Sequence, residues 1–291
     1  MASKKHLTVY CTELAALAGR HQYRSKDDAL EQFLFHNESV IFSDYEHLRD
    51  NVREARIRET TSRREEYQCR KRHAPMLENT LIKLAKADSP EEARLLLDEQ
   101  LATVNDPTER ETLKSVVFKT RGVQTETSTL DEYERVTGRS LKQRNTAFRT
   151  SELFTTPGGV EYRIGGRLDA VCDELGRVVE VKTRMNKFFL PDYDIVQVYG
   201  YFAITGLKTC DFIQTLCGEL KTEIVEYEES TWNAIKSAME QTLDGVLIVE
   251  PSVDECAEPD TAEDDDGFGS NGPMEDEGIY VEDPEALSVG V

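Results

Sequence analysis

The amino-acid sequence predicts an α/β protein with a helical N-terminal region, a strand-rich second half and a disordered acidic tail. Three observations lead there. Residues 44–72 contain neither Gly nor Pro, and Ser89-Pro90-Glu91-Glu92 and Asp106-Pro107-Thr108-Glu109 each set a capping side chain before a proline at a first helical position. After Gly138 the pattern turns to short β-rich runs parted by Gly- and Pro-bearing turns. From Glu250 to Val291 there are 15 acidic residues and no Lys or Arg, with apolar residues too scattered to offset the entropy of ordering.

Taken in order, Leu7 to Tyr10 reads as a strand end. Thr12, as an N-cap, then starts a brief helix that Gly19 stops. Residues 27–36 look helical. The helix over 44–72 carries eight basic residues from Arg53 to Arg72, interleaved with Glu54, Glu59, Glu65 and Glu66; a solvated helix and a phosphate-facing one remain equally open. Helices start at Ser89 and Asp106, and a third begins near Arg121 and stops at Thr137-Gly138. Strands follow at 152–154 and 160–167, parted by the turn Pro157-Gly158-Gly159. Residues 168–172 and 178–182 flank Asp173-Glu174-Leu175-Gly176 as a hairpin. Past Pro191, a helix over 192–204 is capped by Asp192 or Asp194 and closed at Gly206. Two more strands (211–216 and 222–227) and an amphipathic helix (231–243) complete the folded part.

Composition narrows the function. The net charge of −21 belongs mostly to the tail: residues 1–249 hold 35 basic residues against 41 acidic ones, so a local basic groove for DNA remains possible. Long apolar runs and a secretory h-region are missing, so the expectation is a soluble intracellular protein of cytoplasm or nucleus, neither membrane-bound nor secreted. The six cysteines lack paired zinc spacing and read as free thiols.

The chemistry concentrates in Gly165-Gly166-Arg167-Leu168-Asp169 and Val178-Val179-Glu180-Val181-Lys182. Alternation sends Glu180 and Lys182 to one face and Val179 and Val181 to the other, while the hairpin brings Asp169 alongside. Two carboxylates so close repel each other unless a hard dication intervenes. Asp169 and Glu180 are then the ligands, with help from the Val181 carbonyl, and Lys182 positions or deprotonates a water beside a phosphate. An acid-x-Lys triplet alone arises by chance about 2.7 times in such a composition, so context must decide. Gln197 and Tyr201 share a helix face at i and i+4, and Glu126 lies on the helix before the strands.

This order of residues (Glu126, Asp169, Glu180-Val181-Lys182, Gln197 and Tyr201) resembles the PD-(D/E)xK nuclease superfamily, and within it the YqaJ / lambda-exonuclease branch. The narrower likeness rests on Arg121-Gly122 through Glu126 with Tyr133-Glu134 and Thr137-Gly138, on Gly165 to Asp169, and on Thr8 to Gly19 with Tyr23. The resemblance implies a restriction-endonuclease-like core, a mixed β-sheet flanked by helices. It also implies two Mg²⁺ ions (Mn²⁺ as substitute) and 5′-to-3′ exonucleolytic cleavage of linear duplex DNA. Asp169, Glu180, Lys182, Gln197 and Tyr201 match the catalytic positions, and Glu126 matches the acid at the second metal. Lys5, Thr12, Arg121 and Arg167 stand at phosphate- or DNA-binding positions, Arg167 where the branch has a serine. A single-strand annealing protein as partner and a ring trimer are further implications.

The domain reading is a helical N-terminal region (1–118), a nuclease core (119–249) and the acidic tail (250–291). Two alternatives stay open: a RecB-like single-strand exonuclease, without the iron–sulfur cluster because the cysteine spacing is missing, and a catalytically silent DNA-binding module.

Overall fold

Strand β1 (His6–Tyr10) buries Leu7 and Val9 on one side and lies parallel to β3 (Glu161–Arg167), with Val9 opposite Ile164. On the other edge of β3, β2 (Phe148–Thr155) runs antiparallel, with an irregularity between Glu152 and Phe154. A second sheet has the order β4 (Ala170–Cys172), β5 (Arg177–Thr183), β6 (Thr209–Leu216) and β7 (Glu219–Glu226); its central β5–β6 pair is parallel and its outer pairs are antiparallel. The computed structural model describes residues 6–145, 148–156 and 159–247. Lys5, the Pro157-Gly158 part of the expected turn and the acidic tail lie outside the described residues.

The expected single mixed sheet is thus two mixed sheets, because the chain leaves the strand conformation at Leu168-Asp169 between β3 and β4. Helix α8 (Asp192–Thr205) packs against strands of both. Nearly all its faces are apolar and buried, including Val196, Val198, Tyr199, Tyr201, Phe202 and Ile204. Each large side chain removed from water in this way contributes about 1.5–3 kcal/mol. Close approach to α8 and β3 requires glycine at two positions. A Cβ at Gly166 would sit 2.8 Å from Cys11 Sγ, and one at Gly200 would sit 2.7 Å from Leu14 Cδ1.

The remaining helices are α1 (Leu14–Leu17), α2 (Lys26–His36), α3 (Glu38–Asp44), α4 (Arg49–Arg72), α5 (Ala74–Ala85), α6 (Pro90–Leu101), α7 (Pro107–Thr137) and α9 (Glu229–Leu247). The Ser89 and Asp106 caps form as expected: Ser89 Oγ accepts the Glu92 N–H at 3.2 Å and Asp106 Oδ1 the Thr108 N–H at 2.8 Å. Elsewhere the structure corrects the sequence reading. Helix α1 begins after Glu13, not Thr12, because the Glu13 carboxylate folds back to accept the Tyr10 N–H and to meet His36. No separate helix starts near Arg121. Helix α7 runs unbroken through Gly122, whose cost of about 1 kcal/mol is outweighed by buried Leu113, Val116 and Val117 before it and Leu130 and Tyr133 after it. The expected boundary at 118/119 therefore falls inside one helix. Helix α5 escaped notice because Pro75 looks like a breaker, yet it occupies the first turn, where its missing N–H costs nothing. At α8 neither Asp192 nor Asp194 caps: Arg20 takes the first and Arg184 the second.

The basic helix α4 is largely neutralised. Arg53, Arg56, Arg58, Arg63, Arg70 and Arg72 each pair with a nearby Asp or Glu. That favours a solvated, ion-paired face over a phosphate-facing one. Among the described residues no helix is long and apolar enough to cross a membrane.

Candidate active site

Val179 and Val181 pack with Leu130 and Tyr133 of α7, so the opposite face of β5, bearing Glu180 and Lys182, turns toward α8. Glu180 is 1% exposed, and its Oε1 lies 2.6 Å from Lys182 Nζ. The ammonium also donates to Gln197 Oε1 at 3.0 Å, and Gln197 Nε2 donates to the Tyr201 hydroxyl at 2.6 Å. The i, i+4 pair on α8 thus holds the lysine in line with the strand. Asp169 stands in the break between β3 and β4, where its Oδ2 accepts the Val181 N–H at 2.7 Å. That bond anchors the carboxylate beside Glu180.

The electrostatics are those of crowded anions. Burial, then Glu180 and Glu126, push the Asp169 carboxyl well above the usual carboxylate range. Burial also raises Glu126; an Asn145 hydrogen bond works against this and Glu180 adds to it. Lys182 is pulled down by burial but held above its ordinary value by Glu180 and Asp194, so it keeps its proton. The second carboxylate oxygen of Glu180, Oε2, is buried without a hydrogen-bond partner.

An orphaned carboxylate oxygen beside two repelling carboxyls fits a hard cation, which prefers a few carboxylates and completes its shell with water and phosphate oxygens. Asp169 and Glu180 would hold it, with Glu126 close enough to raise the proton affinity of Asp169. Among the described residues no three His, Cys, Asp or Glu side chains are already drawn together as a ligand set. Two of the acids are otherwise engaged: Glu180 Oε1 by Lys182, and Glu126 Oε1 by the Asn145 side-chain amide.

No protein-family model and no curated protein matches this sequence. Solved structures similar to the chain include SSO0001, with 14% identity and a TM-score of 0.38 over 86% of this chain and 81% of that one. The alkaline exonuclease LHK-Exo from Laribacter hongkongensis is 13% identical, with a TM-score of 0.37 over 57% of this chain and 86% of that one. A phage-related exonuclease from Haemophilus somnus 129PT is 14% identical, with a TM-score of 0.34 over 44% of this chain and 71% of that one.

The site gathers Asp169, Glu180, Lys182, Gln197 and Tyr201. Val181 joins it through the main-chain N–H. Of the expected phosphate-binding positions, Thr12 is exposed in the turn after β1, where the Cys11 N–H bonds the Gly165 carbonyl, and Arg167 is exposed at the end of β3. Arg121 is not a surface contact. It is buried, and its Nη1 donates to the Arg184 carbonyl at 3.4 Å. Lys5 lies outside the described residues.

Sequence reasoning missed three participants. Arg184 and Asp194 form a buried pair at 2.7 Å, and Asp194 Oδ1 lies 3.8 Å from Lys182 Nζ. Both could have been found: Arg184 follows Lys182 at i+2, one residue past the end of β5, and Asp194 precedes Gln197 at i−3 on the same helix face. Asn145, in a left-handed conformation at φ 47°, bonds Glu126 with its side chain and the Leu168 and Asp169 carbonyls with its N–H. Nothing local in the sequence marks it.

Proposed function

We propose that this chain is a metal-dependent DNA exonuclease of the PD-(D/E)xK type, resembling the YqaJ / lambda-exonuclease branch and acting 5′ to 3′ on linear duplex DNA. The observation that carries the reading is the buried, unpartnered Glu180 Oε2 beside a desolvated Asp169, with a protonated Lys182 on the same face. A bound Mg²⁺ or Mn²⁺ would polarise the scissile phosphate and lower the pKa of a bound water.

The chain's own groups do the rest. Asp169 is kept in place by the Val181 N–H, and Glu180 by the Lys182 ammonium. Gln197 fixes the Lys182 side chain so that Nζ presents positive charge where a phosphate oxygen gains negative charge in the transition state. Tyr201 supports Gln197 from the next helical turn. Buried Val178 and Val196, with Tyr201 itself, close this face to bulk water. Glu126, bonded by the Asn145 side-chain amide, would supply a further carboxylate for a second ion.

The deciding assay compares end-labelled linear DNA with covalently closed DNA, with Mg²⁺ and with a chelator. The expected result is stepwise loss of linear substrate with Mg²⁺ alone and survival of the closed form. Equal digestion in chelator, or none with Mg²⁺ or Mn²⁺ on any DNA, overturns the proposal. Comparing phosphorylated duplex with single strands separates the lambda-type reading from a RecB-like one.

A further inference from the structure

The Lys182 ammonium sits among three oxygens of unequal standing. Glu180 Oε1 lies 2.6 Å from Nζ and Gln197 Oε1 lies 3.0 Å away, while Asp194 Oδ1 stands at 3.8 Å. Among the described residues, Glu180 and Asp194 are the acids within ion-pair distance of this lysine. Glu180, however, is also a proposed ligand of the ion. A carboxylate that shares its charge with a dication offers less of it to an ammonium. Gln197 is neutral and cannot replace that charge.

Asp194 is placed to make up the difference. It occupies the first turn of α8, three residues before Gln197 and seven before Tyr201, so the three share one helix face. It is 4% exposed, and its second oxygen, Oδ2, accepts from Arg184 Nη2 at 2.7 Å. Were Asp194 there only to neutralise Arg184, a two-toothed fork would use both of its oxygens. Instead one oxygen goes to the arginine and the other faces the lysine.

Arg184 is itself held. Its Nε donates to Gln214 Oε1 at 2.9 Å, its Nη2 to the Phe189 carbonyl at 3.0 Å, and its guanidinium lies 4.4 Å from the centre of the Phe189 ring. The Phe189 N–H donates to the same Gln214 oxygen at 2.9 Å, so the segment leading into α8 is tied down through both main-chain groups of one residue. Charges thus alternate between strand and helix in the order Glu180, Lys182, Asp194, Arg184.

We propose that Asp194 is a positioning residue of the reaction: it holds the Lys182 ammonium against Gln197 when Glu180 turns its charge to the ion, and Arg184 holds Asp194. This rests on the nuclease reading above. It adds a second anion for the lysine, one that is not among the proposed ligands.

The test is nuclear magnetic resonance of the isotope-labelled full chain, in chelator and in Mg²⁺. A free ammonium exchanges its protons with water too fast to be seen near neutral pH. A held one gives a side-chain signal, assigned to Lys182 by its loss in Lys182→Arg. The wild type is expected to show that signal in both solutions. Asp194→Asn keeps the shape and one oxygen for Arg184 but removes the charge. It should retain the signal in chelator, where Glu180 still holds the lysine, and lose it in Mg²⁺. On linear DNA the same variant should show kcat lowered about tenfold or more with KM unchanged, as when a group that orients another is lost.

A purely structural Asp194 would lower the melting temperature of Asp194→Asn and leave its lysine signal and kcat as in the wild type; that result overturns the proposal. A wild type whose lysine signal vanishes on adding Mg²⁺ overturns it too, a reading that needs no variant should Asp194→Asn fail to fold. Shifts of the Asp169 and Glu180 main-chain amides report the ion itself. Their absence in Mg²⁺, with no DNA cleaved, sinks the nuclease reading and this role with it. Their presence together with loss of the wild-type lysine signal sinks the role alone.

Discussion

Glu180 and Lys182 are neighbours on one face of β5, with Oε1 and Nζ 2.6 Å apart, and the carboxylate's other oxygen is left buried with nothing to bond. The strand period makes the pair; the overlying α8 makes it costly, because the Glu180 carboxylate is held away from water. Lys182→Ala should therefore reduce nuclease activity by about 10²-fold or more, the scale at which a positioned charged group acts in a transition state. Gel-based cleavage rates check this, with circular dichroism to confirm that the fold survives. Activity within a factor of two of wild type would remove the lysine from the mechanism.

Asp169 gives a pH signature. Its proton affinity is higher folded than unfolded, so its contribution to stability is complete below the unfolded value of 3.8 and is lost as pH rises through the folded one. In chelator, the melting temperature of the wild type should fall as pH rises above about 4 more steeply than that of Asp169→Asn. Added Mg²⁺ should raise the wild-type melting temperature at neutral pH and leave Asp169→Asn unchanged. Parallel pH curves for the two proteins would contradict the electrostatic account.

Asn145 holds Glu126 with its amide and the Leu168-Asp169 turn with its N–H, from a left-handed backbone. Asn145→Gly keeps that backbone and removes the amide. It should raise the Mg²⁺ concentration needed for half-maximal activity several-fold, as loss of a group that orients a metal ligand does. Titrating Mg²⁺ against initial rate decides it; an unchanged midpoint would make Asn145 merely a turn residue.

The Arg184–Asp194 pair is buried on both sides, and Gln214 and the Phe189 carbonyl complete the guanidinium's bonds. Breaking it by Asp194→Ala leaves a buried cation and should cost about 3–5 kcal/mol in urea unfolding. A loss under about 1 kcal/mol would mean that water reaches the pair, in line with the small values of exposed ion pairs.

Gly166 and Gly200 meet the same Cys11 side chain, at 2.8 and 3.0 Å from the Cβ each would carry. Gly166→Ala should destabilise by about 1–3 kcal/mol through overpacking. Trimming Cys11 to Gly in the same protein should recover part of that loss, a coupling visible in a double-mutant cycle. Strict additivity would show that the crowding is relieved elsewhere.

What the chain declares locally and what it leaves to folding divide along the range of the forces involved. The caps at Ser89 and Asp106, the alternation of β5, and the shared face of Gln197 and Tyr201 are short-range facts, readable because a few neighbouring residues decide them. The placement of Asp169 was half legible. The glycine-rich run before it signalled a strand, but that β3 ends before Leu168-Asp169 and takes β1, with Val9 opposite Ile164, as its parallel partner is visible only in the fold. The continuity of α7 through Gly122 was hidden for a similar reason: helix propensity counts against the glycine, and only the core under Leu113, Val117 and Tyr133 overrules it.

The sequence by itself determined which acids and which lysine can meet, since periodicity puts them on one face and their order along the chain brings their strands together. Only the tertiary structure decided what each group lacks or already holds: that most of α4's arginines pair with carboxylates of α4 and its neighbours, that Arg121 is buried beside a cavity, and that Glu180 keeps one oxygen bare. Desolvation and pairing arise from residues far apart in the chain, and they exist only once the core has closed around them.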